Sequence, residues 1–190
     1  MLLPFLQSVF TEAGIDEAGR GCYAGPVFAA AVILPPDFRH PDINDSKKLS
    51  PAKRAMLRPV IERESIAWAV ASVDNEEIDR INILQATYKA MHLAIDGLAT
   101  TPGLLLVDGN RFKKYPNIPH QCIIHGDGLY APIAAAGILA KTHRDEFMDQ
   151  LHKKYPEYAW IQNKGYGTAA HREAIRIHGF SPYHRKSFNI

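Results

Sequence analysis

Apolar residues gather in short runs broken by turn residues, and between the runs they recur at three- and four-residue spacing, so strands and helices intermix in an α/β chain. Gly14-Ile15-Asp16-Glu17 begins as a strand and runs through Ala18 into Gly19-Arg20-Gly21, a turn of flexible residues. Ala24 to Leu34 is a nearly continuous apolar run stopped by Pro35-Pro36, which predicts a buried strand pairing antiparallel with the first. Ser65 to Val73 alternates small and apolar residues as a third strand. Leu104 to Val107 is short and wholly apolar, as a central strand is, and Gln121 to Ile124 follows as another.

Helices separate these strands. Ser50 and Pro51 open one with a capping serine and a proline at the first position, and Pro59 is expected to end or kink it early. Asp74 caps a short helix with Glu76 and Glu77 in its first turn. Asn82-Ile83-Leu84-Gln85 has capping-box spacing ahead of a longer helix, whose Leu84, Tyr88, Met91, Ile95 and Leu98 form a core face and which Thr101-Pro102-Gly103 ends. Leu129 to Tyr155 is helical, with Ala134, Ala135, Ala136 and Gly137 small enough to let it lie close to the sheet. Tyr155 to Gly167 reads as a loop rich in aromatics and glycine, and Ala169 to His178 as a last amphipathic helix stopped by Gly179.

Composition narrows the class. With 46% hydrophobic and 22% charged residues, the chain resembles a soluble globular protein, and residues 1–190 are expected to form one domain. No apolar run is long enough for a bilayer, and the short apolar start, Met1 to Phe10, lacks the basic residues of a secretory signal. Cys22 and Cys122 form no CxxC pair and read as reduced thiols of a cytoplasmic protein. The net charge is only +2, but from Lys141 onward nine Lys and Arg face five Asp and Glu, leaving that part at +4 and the rest at −2. An anionic partner or a solvated basic helix both answer that imbalance.

The candidate chemistry is carboxylate chemistry. Neighbours on a strand point to opposite faces, so Asp16 and Glu17 can flank a point near the strand end, with Arg20 placed to meet an anion. Asp108 stands at the carboxyl end of its strand in Asp108-Gly109-Asn110, where open sheets bind ligands. Asp127 repeats the arrangement in His125-Gly126-Asp127-Gly128, although it also suits a helix cap. Clustered carboxylates repel unless a proton or cation intervenes, and an all-oxygen set suits Mg²⁺ or Mn²⁺. Zinc fits poorly, because the nine histidines show no HExxH spacing. Two hard cations roughly 4 Å apart serve in-line displacement at a phosphodiester. Lys47 and Lys48 can hold a phosphate or merely face solvent, Lys141 and Asp145 can pair four apart, and Tyr166 between glycines suits stacking on a sugar or base. Gly19, Gly21 and Gly25 form neither a P-loop nor a dinucleotide fingerprint, because no GK[ST] and no helix follows.

Taken together, Gly14 to Gly21, Asn44 to Leu49, Asn82 to Thr87, Val107 to Asn110, Ile138 to Lys141, Lys164 to Thr168 and His184-Arg185 resemble the type 2 ribonucleases H, the bacterial ribonuclease HII family. The likeness spans Gly14 to about Phe188. It implies an RNase H-like fold, a five-stranded mixed sheet flanked by helices, with a helical, substrate-contacting portion at about 156–190. It also implies an endonuclease that cuts the RNA strand of RNA/DNA hybrids and incises DNA 5′ of an embedded single ribonucleotide, leaving 3′-hydroxyl and 5′-phosphate ends. On matching positions, Asp16, Glu17, Asp108 and Asp127 take the metal-binding catalytic roles, and the Gly19-Arg20-Gly21 backbone reads the ribose 2′-hydroxyl. Tyr166 stacks beside the RNA-to-DNA junction, and Lys47, Lys141 and Lys164 contact phosphates.

Three positions depart from the family pattern. His125 stands where a lysine is usual, which makes that local charge pH-dependent; Gly137 replaces a serine, and Tyr183 an aliphatic residue. Two rival readings are a type 3-like ribonuclease H that prefers long hybrids and a non-catalytic hybrid-binding protein. Arg20 between two glycines, Tyr166 and the lack of an added N-terminal domain favour type 2, and the four acids favour catalysis. The chain is expected to be a monomer without a sliding-clamp tail.

Overall fold

The computed structural model of the chain describes residues 2–189. Its strands, β1 (Glu12–Ala18), β2 (Val27–Ile33), β3 (Ala67–Val73), β4 (Leu104–Asp108) and β5 (His120–Ile123), form one mixed sheet in the order β3-β2-β1-β4-β5. β2 pairs antiparallel with both β1 and β3, while β4 runs parallel to β1 and β5 parallel to β4. β1 therefore sits at the centre, with the expected antiparallel partner on one side and a parallel strand on the other.

The two-residue period of β2 divides its side chains between two cores. Val27, Ala29, Ala31 and Ile33 pack on α3 (Ile83–Asp96) through Ala86, Ala90, Met91 and Ile95. Ala30 and Val32 pack on the opposite face, against α1 (Pro51–Glu64) and α4 (Ala131–Lys154), through Leu57, Ile61, Ala134 and Ile138. α4 lies as close to the sheet as its small residues suggested: a Cβ on Gly14 would fall 2.1 Å from the Pro132 carbonyl carbon. Backbone meets backbone there.

Several expected boundaries shift for physical reasons. Ala24, Gly25 and Pro26 precede β2 rather than belonging to it, because Gly25 adopts φ 82° and breaks the extended run. α1 continues past Pro59 to Glu64; Pro59 and Ala55, the residue whose carbonyl it leaves without an amide, are both exposed, so water can take that bond. Asn82 caps α3 through Oδ1, which accepts from the Leu84 and Gln85 amides. α3 stops at Asp96 with Gly97 as its cap, ahead of Thr101-Pro102-Gly103, and Leu98 packs on the core from beyond the helix.

The segment expected as a loop, Tyr155 to Gly167, is largely ordered into a 3₁₀ turn (Pro156–Tyr158) and a one-turn helix, α5 (Trp160–Asn163). Trp160 and Tyr158 stack and join Ala24, Met148, Leu151 and Ile175 in a third core beside α6 (Ala169–His178). A short α2 (Asn75–Ile81), capped by Asp74 as expected, joins β3 to α3. Among the described residues no helix is long and apolar enough to cross a membrane.

Candidate active site

Three carboxylates converge where β1, β4 and the turn after β5 meet. Asp16 lies near the end of β1 and turns toward α4, where Gly137 leaves room for it: a Cβ at 137 would sit 2.4 Å from Asp16 Oδ2. The parallel register pairs Ile15 with Val107, which sets Asp108, the last residue of β4, beside Asp16. Asp127 comes not from a strand end but from a 3₁₀ turn (Gly126–Gly128) between β5 and α4. It does not cap α4, whose cap is Tyr130. Asp16, Asp108 and Asp127 each offer a carboxylate oxygen within 4.8 Å of the other two. Glu17, on the opposite side of β1, is outside this set and takes an ion pair from Arg20 Nη1 at 3.2 Å.

The cluster is held by few compensating groups. Asp16 Oδ1 accepts from the Glu17 amide at 2.7 Å, and Asp108 Oδ1 from the Gly126 amide at 2.8 Å. Burial, then the charges of Glu17 and Asp108, hold the Asp16 carboxyl well above its ordinary range. Burial also raises Asp127, with Asp108 and Asp45 adding to the rise. Glu17 is raised by burial against the pull of Arg20. Buried like charges at this spacing call for a cation, and an all-carboxylate donor set fits a hard divalent ion.

The glycines beside the cluster divide by role. Gly19 has φ 94°, and a Cβ there would lie 2.0 Å from Arg144 Nε, so this glycine is required by packing. Around Gly21 no described atom beyond its own chain neighbours comes within 4 Å of the Cβ position. That is open space for a ligand to approach the backbone. Tyr166 is bridged through its backbone to Cys22, is 41% exposed, and has Lys141 Nζ at 5.5 Å and the Arg144 guanidinium at 5.9 Å from its ring centre.

The expected basic surface is smaller than a charge count suggests. Lys141 pairs with Asp145 at 2.6 Å as anticipated, Lys164 pairs with Asp149, and Arg144 and Arg185 are buried. Lys47 remains largely exposed, 3.8 Å from Asp127 Oδ2. Burial alone would lower its pKa, but the attraction of Asp16, Asp127, Asp45 and Asp108 outweighs this and raises it. Sequence reading missed Asp45, which faces Asp127, and Arg54, which is buried and ties the Lys47 loop to α4. Arg54 donates to the Ser46 and Leu49 carbonyls at 2.9 and 2.6 Å and lies 3.7 Å from Asp145. The Asn44 to Leu49 motif was a signal for Asp45; an arginine on a helix gives none for its burial.

This sheet order, with carboxylates gathered on its central strands, defines the RNase H-like class of α/β enzymes, and the solved structures agree. Ribonuclease H2 from Pyrococcus horikoshii OT3 superposes with a TM-score of 0.77 at 25% identity, covering 93% of each chain. A ribonuclease HIII (Bst-RNase HIII), solved with Mn²⁺, matches the fold at a TM-score of 0.73 and 21% identity, over 96% of this chain and 68% of that one. The Ribonuclease HII family model matches residues 13–190, and the ribonuclease HII of Parabacteroides distasonis is 62% identical over 190 residues, covering 100% of this chain and 96% of the relative. The chain belongs to the ribonuclease HII family and is a ribonuclease H. Enzymes of this class depend on divalent metal, which the acidic cluster fits.

Proposed function

We propose that the enzyme hydrolyses the RNA strand of RNA/DNA hybrids and incises duplex DNA 5′ of an embedded single ribonucleotide, leaving 3′-hydroxyl and 5′-phosphate ends. The convergence of Asp16, Asp108 and Asp127 within 4.8 Å, beside the open face of Gly21, carries the reading. Asp16, Glu17, Asp108 and Asp127 would hold Mg²⁺ or Mn²⁺, with Glu17 reaching in from the other side of β1. The bound ions supply Lewis-acid activation of water and charge neutralisation at the phosphoryl group. The chain's own groups bind and orient the substrate. The backbone of Gly19, Arg20 and Gly21 reads the 2′-hydroxyl, the feature that separates RNA from DNA. Tyr166 stacks beside the RNA-to-DNA junction. Lys47, Lys141 and Lys164 meet phosphates, the last two by sharing or exchanging their carboxylate partners. Residues 1–190 act as one catalytic unit, with about 156–190 contacting substrate. Such a nick is the opening step for removing ribonucleotides from DNA in a cytoplasmic, monomeric repair enzyme.

The test is cleavage of a DNA duplex carrying one ribonucleotide. Nicking 5′ of the ribonucleotide in Mg²⁺ or Mn²⁺, abolished by chelation and by Asp16→Asn with substrate binding kept, is the expected result. Cleavage of long hybrids alone would contradict it.

A further inference from the structure

Two arginines that no surface role explains are built around the ribose-reading turn. Arg144 on α4 and Arg185 near the C-terminal end are both 0% exposed. Arg185 Nη2 donates to the Gly19 carbonyl at 2.7 Å and the Gly25 carbonyl at 2.8 Å, Nη1 to the Arg20 carbonyl at 2.8 Å, and Nε to the Gly25 carbonyl at 3.0 Å. Arg144 donates to the carbonyls of Pro26 at 3.1 Å, Ala24 at 3.1 Å and Lys164 at 2.8 Å. Its side chain also fills the space that a Cβ on Gly19 would need. Every one of these hydrogen bonds ends on a main-chain oxygen. Together they fasten both ends of the segment Gly19 to Pro26.

The consequence lies in the planarity of the peptide bond. In a trans peptide the carbonyl and the following N–H point in opposite directions, and the described chain contains no cis bond. Drawing the Gly19 and Arg20 carbonyls inward onto Arg185 therefore turns the N–H groups of Arg20 and Gly21 outward. The Cys22 amide returns to the Gly19 carbonyl at 3.4 Å, whereas the amides of Arg20 and Gly21 reach no protein acceptor among the described residues. Each follows a carbonyl that is turned inward onto Arg185. Resting on the reading of this loop as the ribose reader, we propose that Arg144 and Arg185 are positioning residues: two buried guanidiniums that fix the Gly19-Arg20-Gly21 backbone with two amide donors presented to the 2′-hydroxyl.

Energetics argue that the arrangement is kept for more than stability. Burying two like charges without carboxylate partners is costly, and burial, with the neighbouring Arg144 charge adding to it, pushes Arg185 down to about 10. Apolar side chains would fill the same volume at lower cost but would leave the carbonyls unsatisfied and the peptides unoriented.

The test compares binding of a one-ribonucleotide duplex with binding of the all-DNA duplex of the same sequence, in an Asp16→Asn background so that nothing is cut. Arg185→Lys keeps the charge but cannot span three carbonyls. It should lower the preference for the ribonucleotide duplex about fivefold, the share of one hydrogen bond, while leaving the affinity for all-DNA duplex unchanged. Arg144→Lys should act in the same direction. An unchanged preference, or equal loss of affinity for both duplexes, overturns the proposal, since either makes the arginines structural only. Melting curves decide whether each variant is folded at the assay temperature: if one is not, the other carries the test, and if neither is, the positioning role is overturned. Absence of any ribonucleotide preference in the Asp16→Asn parent is a separate outcome, which contradicts the proposed function itself.

Discussion

Gly137 lies so close to Asp16 that a Cβ on the helix residue would stand 2.4 Å from the carboxylate oxygen Oδ2. α4 thus shapes the cluster directly, by the absence of a side chain. In Gly137→Ala the helix gains up to about 1 kcal/mol of propensity, while Asp16 must swing away. Because serine is usual at this position in the family pattern, the site tolerates a side chain there once Asp16 turns aside: we expect a melting temperature that does not fall and a higher Mg²⁺ concentration for half-maximal cleavage, with the rate at saturating Mg²⁺ largely kept. Unchanged metal dependence would show that Asp16 absorbs the methyl without moving relative to Asp108 and Asp127.

One turn earlier, at the start of the same helix, the contact has no such give. A Cβ on Gly14 would meet the Pro132 carbonyl carbon at 2.1 Å and the Ile133 amide nitrogen at 2.3 Å, and neither is the tip of a flexible side chain. Gly14→Ala should therefore cost at least about 3 kcal/mol, the upper end of overpacking penalties, in urea denaturation. A loss under 1 kcal/mol would mean that α4 can lift from β1.

Acid should weaken the C-terminal core. His184 is buried against His171, with Nε2 to Nε2 at 3.1 Å, while Trp160 Nε1 donates to His171 Nε2 at 3.0 Å and the Ser181 amide donates to His184 Nδ1 at 2.9 Å. Burial, then His171, lowers His184 from 6.5 to about 4, so between those values the unfolded chain binds the proton and the folded chain does not. This contribution is complete above pH 6.5 and drains as pH falls to about 4, by about 3 kcal/mol in all. The raised carboxyls of Asp16 and Asp127 work in the opposite sense, adding stability on acidification. The comparison is therefore the stability slope from pH 7.5 to about 5 in the wild type and in His184→Asn. Burial lowers His171 and His143 in the same sense, so the variant should keep a shallower acid-side fall than the wild type; equal slopes would contradict the assignment.

Tyr166 is exposed on one side and backed by Lys141 and Arg144 on the other. Stacking on a base or sugar is worth about 1–3 kcal/mol, so Tyr166→Ala should slow cleavage of the single-ribonucleotide duplex about tenfold or more. A long hybrid offers alternative registers and should suffer less. Equal losses on the two substrates would remove the junction-stacking role.

Much of this was legible in the sequence because local pattern and tertiary role agree. β2 is buried on both faces and reads as one apolar run; Asp108 closes the buried strand β4; the acids sit where chain direction changes. Legibility failed where a residue's partners are remote in sequence. Arg144 and Arg185 sit in a basic segment and read as surface charge, yet both are buried against the Gly19 to Pro26 turn. Tyr158 and Trp160 lie in a stretch without period, so nothing local marked it as a packed core. Pro59 does not end α1, because its lost hydrogen bond falls on the wet side of the helix.

The central claim, hydrolysis by water at a carboxylate-held metal site, is tested most directly by the ends of the cut strand. On a duplex with one ribonucleotide, in Mg²⁺, the account predicts a 3′-hydroxyl and a 5′-phosphate. A 2′,3′-cyclic phosphate would contradict it, because the ribose hydroxyl would then have been the nucleophile.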